Sequence, residues 1–193
     1  MTEGKHRRKK LGTHDMVYIA LFVVVIVICS WIAVPVGAIP VTMQTFAIFL
    51  TIRSLGGRRG SIAVLVYLLM GAVGLPVFSG FRGGIGVLFH TTGGYILGFL
   101  PAALLMWGIE VLFGRKQWVS AFSMLLGLLL CYIFGTAWFL MLYMKNTGII
   151  GLGTVLGWCV LPFVIPDLIK AGLALVLGKR IAVLSFRSDR NLL

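Results

Sequence analysis

Two residues near the end of the sequence, Asp167 and Lys170, carry opposite charges inside the apolar run VLPFVIPDLIKAGLALVLG. Spaced three apart, they share one face if that run is a helix. A lone ion within a membrane span costs roughly 2.5 to 3.5 kcal/mol on insertion scales, so such a residue faces a partner, a cavity or a pathway. A carboxylate accepts hydrogen bonds and an ammonium donates them, so the pair could grip the polar head of a small ligand. The plainer reading is a salt bridge that only pins the helix. Pro162 and Pro166 favour the ligand site, because each proline lacks an N–H and frees backbone polar groups beside the pair. An intramembrane aspartate could also relay a proton, which keeps a proton-coupled transporter as a rival. The remaining acidic residues are Glu3, Asp15 and Asp189 toward the termini and Glu110 close to Arg115. A single carboxylate in the outer half of a span disfavours a membrane-embedded metal-dependent enzyme, which would need several facing one another.

Other polar residues could line the same cavity. Gln44, in PVTMQTF, begins an apolar run where its carboxamide needs hydrogen-bond partners. Arg82 lies among glycines in SGFRGGIG, and His90, Thr91, Thr92 and Tyr95 open another run. The candidate ligand-binding set is Asp167, Lys170, Arg82, Gln44 and Tyr95. The glycines around Arg82 do not form a phosphate cradle, since no Lys-Ser/Thr follows them. Cys29, Cys131 and Cys159 are odd in number and widely spaced, so they read as buried small hydrophobes. No His, Cys, Asp or Glu group has metal-ligand spacing.

The elements that position these residues follow from hydropathy. Of the 193 residues, 60% are hydrophobic and 11% charged, with a mean hydropathy of +1.05. Such a chain belongs in lipid, where apolar side chains are accepted outside as well as inside. Six apolar runs emerge between Pro, Gly and basic breaks: Met16 to Val34, Pro40 to Ile52, Ser61 to Phe78, Gly93 to Phe113, Trp118 to Tyr143 and Phe163 to Ile181. The expected fold is all-α and integral to the membrane: one domain over residues 1–193, six transmembrane helices over about 16–184, and a capping outer loop. A basic tail over residues 1–15 and a C-terminal tail over 185–193 complete it. Net charge is +12, but placement excludes nucleic acid as the partner, because the cations cluster between apolar runs. Lys5, Arg7, Arg8, Lys9 and Lys10 share one side with Arg53, Arg58, Arg59, Arg115, Lys116, Lys179, Arg180, Arg187 and Arg190. Only Arg82 and Lys145 fall on the other side, so both termini are expected in the cytoplasm. The loop VFSGFRGGIGVLFHTT is apolar enough to fold back over the bundle, and GIIGLGTVLGWCVLP reads as a short re-entrant or interfacial helix. Gly94 with Gly98, and Gly153 with Gly157, are spaced for close helix packing.

The runs IPVTMQTFAIFL, GAVGLPVFSGFRGGIGVLFHTTGGYILGF and VLPFVIPDLIKAGLA, in that order, resemble the BioY family, the biotin-binding S subunits of energy-coupling-factor (ECF) transporters. The resemblance covers the chain from the first span to about Ala174. One departure is that His90 and Thr91 stand where the family usually has Gly-Pro before TGGY. The resemblance implies a six-helix subunit of the cell membrane, not an enzyme, that takes biotin from outside without a cofactor. It also implies a transmembrane coupling protein and two cytosolic ATPase subunits as partners; no ATP motif occurs in this sequence. Asp167 and Lys170 match the family's final-helix binding motif. Biotin would suit such a pocket. Asp167 could accept from the ureido N–H groups, Lys170 could donate to the ureido carbonyl, and Trp, Phe and Leu side chains could bury the thioether ring. An S subunit for another vitamin is the nearest alternative.

Overall fold

The computed structural model describes residues 11–36, 39–146, 148 and 151–190, of which 35, 36, 39 and 183–190 are described by their backbone alone. The basic residues Lys5 to Lys10 lie outside the described residues. The fold is dominated by helices, with one small hairpin. Helix α1 (Thr13–Trp31) leads into strands β1 (Ala33–Val36) and β2 (Ile39–Thr42). Helices α2 (Gln44–Leu55) and α3 (Gly57–Val73) follow, then the one-turn α4 (Ile85–Leu88), α5 (Gly93–Phe113) and α6 (Gln117–Asn146). The chain ends with α7 (Leu152–Cys159) and α8 (Leu161–Arg190). Four stretches are long and apolar enough to cross a membrane: Thr13–Trp31, Gly93–Phe113, Gln117–Asn146 and Leu152–Ala182.

The all-α class holds, and one small hairpin interrupts it at the end of the first expected span. The run to Val34 does not stay helical: α1 stops at Trp31 and Ala33 pairs antiparallel with Thr42. Hydropathy cannot separate a β-branched strand such as AVPV from the end of an apolar helix. Pro35 and Pro40 face each other in this ladder. Neither has an N–H, so their pair falls between hydrogen-bonded positions, consistent with the Met43 N–H bonding to Ile32 O at 3.0 Å. Helix α2 therefore starts at Gln44 rather than Pro40. Helix α3 begins at Gly57, ahead of Ser61, and ends before Phe78 because Gly74 adopts the left-handed conformation at φ 112°.

The loop after α3 folds back over the bundle as expected. Phe78 and Arg82 form an antiparallel bridge, and Gly84 N–H bonds Gly71 O at 2.7 Å. Phe78 fills the space above Gly71, where a Cβ would collide with its ring. Trp31 Nε1 donates to Pro76 O at 2.9 Å, and its ring lies 4.8 Å from that of Phe81. The expected short helix before the last span is α7, whose Val155 and Cys159 pack with Phe139 and Phe163. Helix α8 stays helical through Arg190, so most of the expected C-terminal tail continues the last helix.

Small residues seat α5 against α6. A Cβ at Gly94 would strike Trp138, one at Gly135 would strike the Tyr95 ring, and one at Gly98 would sit 3.3 Å from Cys131 Sγ. Gly153 and Gly157, expected to pack in the same way, have open space where a Cβ would be, so this second pair is not a helix-packing motif. At the opposite end from the hairpin and cap, polar contacts tie the helix ends together. Asp15 of α1 pairs with Arg59 of α3, Glu110 Oε2 accepts from Gly57 N–H at 2.9 Å, and Arg115 Nε lies 3.5 Å from Glu110 Oε1. Lys179 donates to Gln117 Oε1 at 3.2 Å. The start of α1 and the Lys179 region of α8 therefore share one end of the bundle.

Candidate functional site

The period of α8 places Asp167 and Lys170 on the same inward face, and the structure closes them into an ion pair: Lys170 Nζ lies 2.8 Å from Asp167 Oδ1. Both are buried, at 4% and 6% exposure, so solvent screens the pair little. The second carboxylate oxygen, Oδ2, accepts from the Tyr132 hydroxyl of α6 at 2.7 Å. Each oxygen thus has one protein donor and keeps a lone pair for a ligand. Lys170 spends one N–H on Asp167, leaving two of its three to donate elsewhere.

The pair forms part of the wall of a cavity of about 110 Å³. Gln44 and Thr45 of α2 face it, with Thr42 and Pro40 from β2 beside them. Ser79 of the cap and Thr92 before α5 line it from the loop side. Tyr95, Ile96 and Phe99 of α5, Leu128, Cys131 and Tyr132 of α6, Cys159 of α7 and Phe163 of α8 complete the lining. The cavity is therefore apolar, with one charged pair at its α8 wall and hydroxyls toward the cap. The aromatic lining is Phe and Tyr; the expected tryptophan is absent among the described lining residues.

Four of the five residues singled out from the sequence meet here: Asp167, Lys170, Gln44 and Tyr95. Gln44 Nε2 donates to the Tyr67 hydroxyl at 2.7 Å, which supplies the partner that its burial demands. The Tyr95 hydroxyl lies 3.1 Å from Thr136 Oγ1, so its ring lines the cavity while its polar end is held by α6. Arg82 is not brought in. It is exposed on the cap, three residues beyond Ser79, and does not line the cavity. His90 is also outside, its Nδ1 lying 3.2 Å from Thr91 Oγ1 and its carbonyl accepting from Trp138 Nε1 at 3.2 Å.

Sequence reasoning missed Tyr132, the hydroxyl residues Thr42, Thr45 and Ser79, and the two cavity thiols Cys131 and Cys159. The signal for Tyr132 is slight: a phenol halfway along an apolar span needs a hydrogen-bond partner. Cys131 and Cys159 are buried as expected while Cys29 is only partly so, and burial says nothing about facing a cavity.

The sequence matches the BioY family over residues 4–186. The chain belongs to the BioY family. It is 36% identical over 167 residues to a biotin transporter of Lactococcus lactis, covering 86% of this chain and 88% of that one. It is also 36% identical over 159 residues to the biotin transporter of Thermotoga maritima, covering 81% of this chain and 79% of the other. Its fold matches the crystal structure of the S-component for biotin from an ECF-type ABC transporter. That match has a TM-score of 0.75, 26% identity, and coverage of 86% of this chain and 89% of that one. With its apolar helices, this membership makes the chain a multi-pass protein of the cell membrane. The relatives are transporters by name, and the family signature spans the described cavity from Pro40 to Lys170.

Proposed function

We propose that the chain is the biotin-binding subunit of an ATP-driven ECF transporter, and that Asp167 and Lys170 hold the ureido end of biotin. The observation that carries the reading is the buried Asp167–Lys170 pair, braced by Tyr132, in the wall of a small apolar cavity of a BioY-family chain. A cyclic urea offers two N–H donors and one carbonyl acceptor. Asp167 is an acceptor with lone pairs to spare and Lys170 is a donor, so the pair is complementary to that group. Phe99, Phe163, Ile96 and Leu128 supply apolar contact for the thioether ring and alkyl chain. The carboxylate end is directed toward the mouth, where Ser79 and Thr92 present hydroxyls and Arg82 stands on the same cap hairpin. Arg82 meets the carboxylate there, outside the cavity proper.

In this reading α1, α2, α3, α5, α6 and α8 cross the membrane, both termini are cytoplasmic, and the hairpin, cap and α7 face outward. The positive-inside distribution supports that orientation. So does the gathering of Arg59, Arg115 and Lys179 at the end away from the cavity mouth. Helix α2, at 12 residues, is too short to cross alone. The hairpin before it sits at the outer end and carries that segment on toward the outer surface. A transmembrane coupling subunit and two cytosolic ATPase subunits supply the energy, and this chain needs no cofactor to bind. Titrating the purified chain with biotin and with a panel of other vitamins tests the proposal. Saturable binding of biotin alone supports it, and preference for another vitamin refutes the assignment while keeping the fold.

A further inference from the structure

The end of the bundle away from the cavity carries an arrangement that ligand binding does not use. We infer that the turn between α5 and α6, together with Lys179 of α8, forms a site for the headgroup of an anionic phospholipid, whose acyl chains lie along an apolar stripe of α6. This rests on the chain's place in the membrane, not on which vitamin it binds.

Helices α5 and α6 are each long and apolar enough to cross a bilayer, and only Gly114, Arg115 and Lys116 join them. So short a connection between two crossings lies at the membrane surface, whichever side it faces. The residues flanking the turn agree. Phe113 and Trp118 are both exposed, Trp118 at 88%, and aromatic side chains collect at the headgroup level. From Trp118 the exposed Phe122, Leu125 and Leu129 follow at helical spacing, so they form one stripe along the outside of α6.

The cations of this corner divide into two kinds. Arg115 is turned inward: its Nη2 donates to Arg53 O at 2.8 Å, and its Nε lies 3.5 Å from Glu110 Oε1. Glu110 accepts from Gly57 N–H with its other oxygen, and Asp15 is paired with Arg59, so both carboxylates are already engaged. Lys116 and Lys179 are exposed, and neither makes an ion pair with a described residue. Lys179 Nζ donates to Gln117 Oε1 at 3.2 Å, which brings it beside Lys116, the residue before Gln117. That bond uses one of its three N–H donors. Two ammonium groups so placed repel each other, and a phosphate between them removes the repulsion while accepting from both. The phosphate then sits at the foot of the α6 stripe. A phospholipid carries the anion and the apolar chains for that stripe in one molecule.

The test reads Trp118 as a reporter. The purified full chain is reconstituted in phosphatidylcholine vesicles with rising fractions of brominated phosphatidylglycerol or brominated phosphatidylcholine, since bromine quenches a tryptophan it touches. The Trp118 signal is the difference from Trp118→Phe. Each cation near an anionic lipid surface contributes about fivefold, so the wild type should prefer phosphatidylglycerol by roughly 5- to 30-fold. Lys116→Gln/Lys179→Gln should bring the two lipids to within about twofold, and Lys116→Arg/Lys179→Arg should keep the preference. Inorganic phosphate in the buffer should leave the quenching unchanged; displacement of the lipid by it would make this a site for free anions and overturn the inference. Equal quenching by both lipids in the wild type overturns it too and leaves the basic corner to an acidic protein surface, as does a preference undiminished in the Gln variant. The Gln variant should bind biotin as the wild type does, because the cavity lies at the other end. Failure of the wild type to bind biotin would instead refute the assigned ligand and leave the lipid site standing.

Discussion

Replacing Asp167 by Asn removes one charge from a site that has only one to offset Lys170. In the wild type, Oδ1 accepts a hydrogen bond from Lys170 at 2.8 Å and Oδ2 accepts one from Tyr132 at 2.7 Å. The Asn oxygen can replace one of these acceptors. Its NH2 group must then turn toward Tyr132 or toward the ligand, where it meets a ureido N–H donor to donor. Losing a charge-assisted hydrogen bond costs about 1.5 to 3 kcal/mol, so biotin should bind roughly 10- to 150-fold more weakly. Stability should fall as well, since breaking a buried pair leaves an uncompensated charge, at a cost of about 3 to 5 kcal/mol. The 5% and 8% side-chain exposures leave little solvent to soften that penalty. Isothermal titration gives the first quantity and thermal unfolding in detergent the second. The double variant Asp167→Asn/Lys170→Met separates them, because it removes the stranded cation and should recover stability without recovering affinity. Wild-type biotin affinity in Asp167→Asn, or full recovery of affinity in the double variant, would refute the role given to the pair.

Arg82→Ala should weaken biotin while barely affecting biotin amide, whose tail carries no charge; equal weakening of both ligands would remove Arg82 from the carboxylate. Single cysteines at Ser79 and Asn146 in an otherwise cysteine-free chain should react with an impermeant reagent in intact cells, and one at the exposed Lys116 should not. The reverse pattern would invert the topology. Gly94→Ala forces a methyl group into Trp138 at the α5–α6 seam and should lower stability by about 1 to 3 kcal/mol by thermal unfolding. Gly153→Ala, where the space is open, should lower it far less, and equal losses would contradict the packing described.

The heart of the site was legible because ions are rare in apolar spans, and Asp167 and Lys170 stand out against their neighbours in a way that spacing alone resolves. Gln44 and Tyr95 were legible for a weaker version of the same reason. Tyr132, Cys131 and Cys159 were not, since phenols and thiols are ordinary in buried helices and only the packing decides which of them face a cavity. For Arg82 the sequence shows the charge but not the place: the loop's path, set by the left-handed turn at Gly74 and the Phe78–Arg82 bridge, leaves it on the surface outside the cavity lining. The hairpin was hidden because Val, Ile and Pro satisfy a hydropathy window equally well as strand or as the end of a span. Gly94 and Gly153 carry the same spacing signal, and only the first has a helix against it.

The central claim is that this cavity binds biotin through the buried pair on α8. Direct titration of the purified chain with biotin, repeated on Lys170→Met, tests it most closely. The account predicts saturable one-to-one binding by the wild type and a loss of at least tenfold in the variant, the least expected from removing a charged donor to the ureido carbonyl. No biotin binding by a folded wild type, or unchanged binding by Lys170→Met, would contradict it.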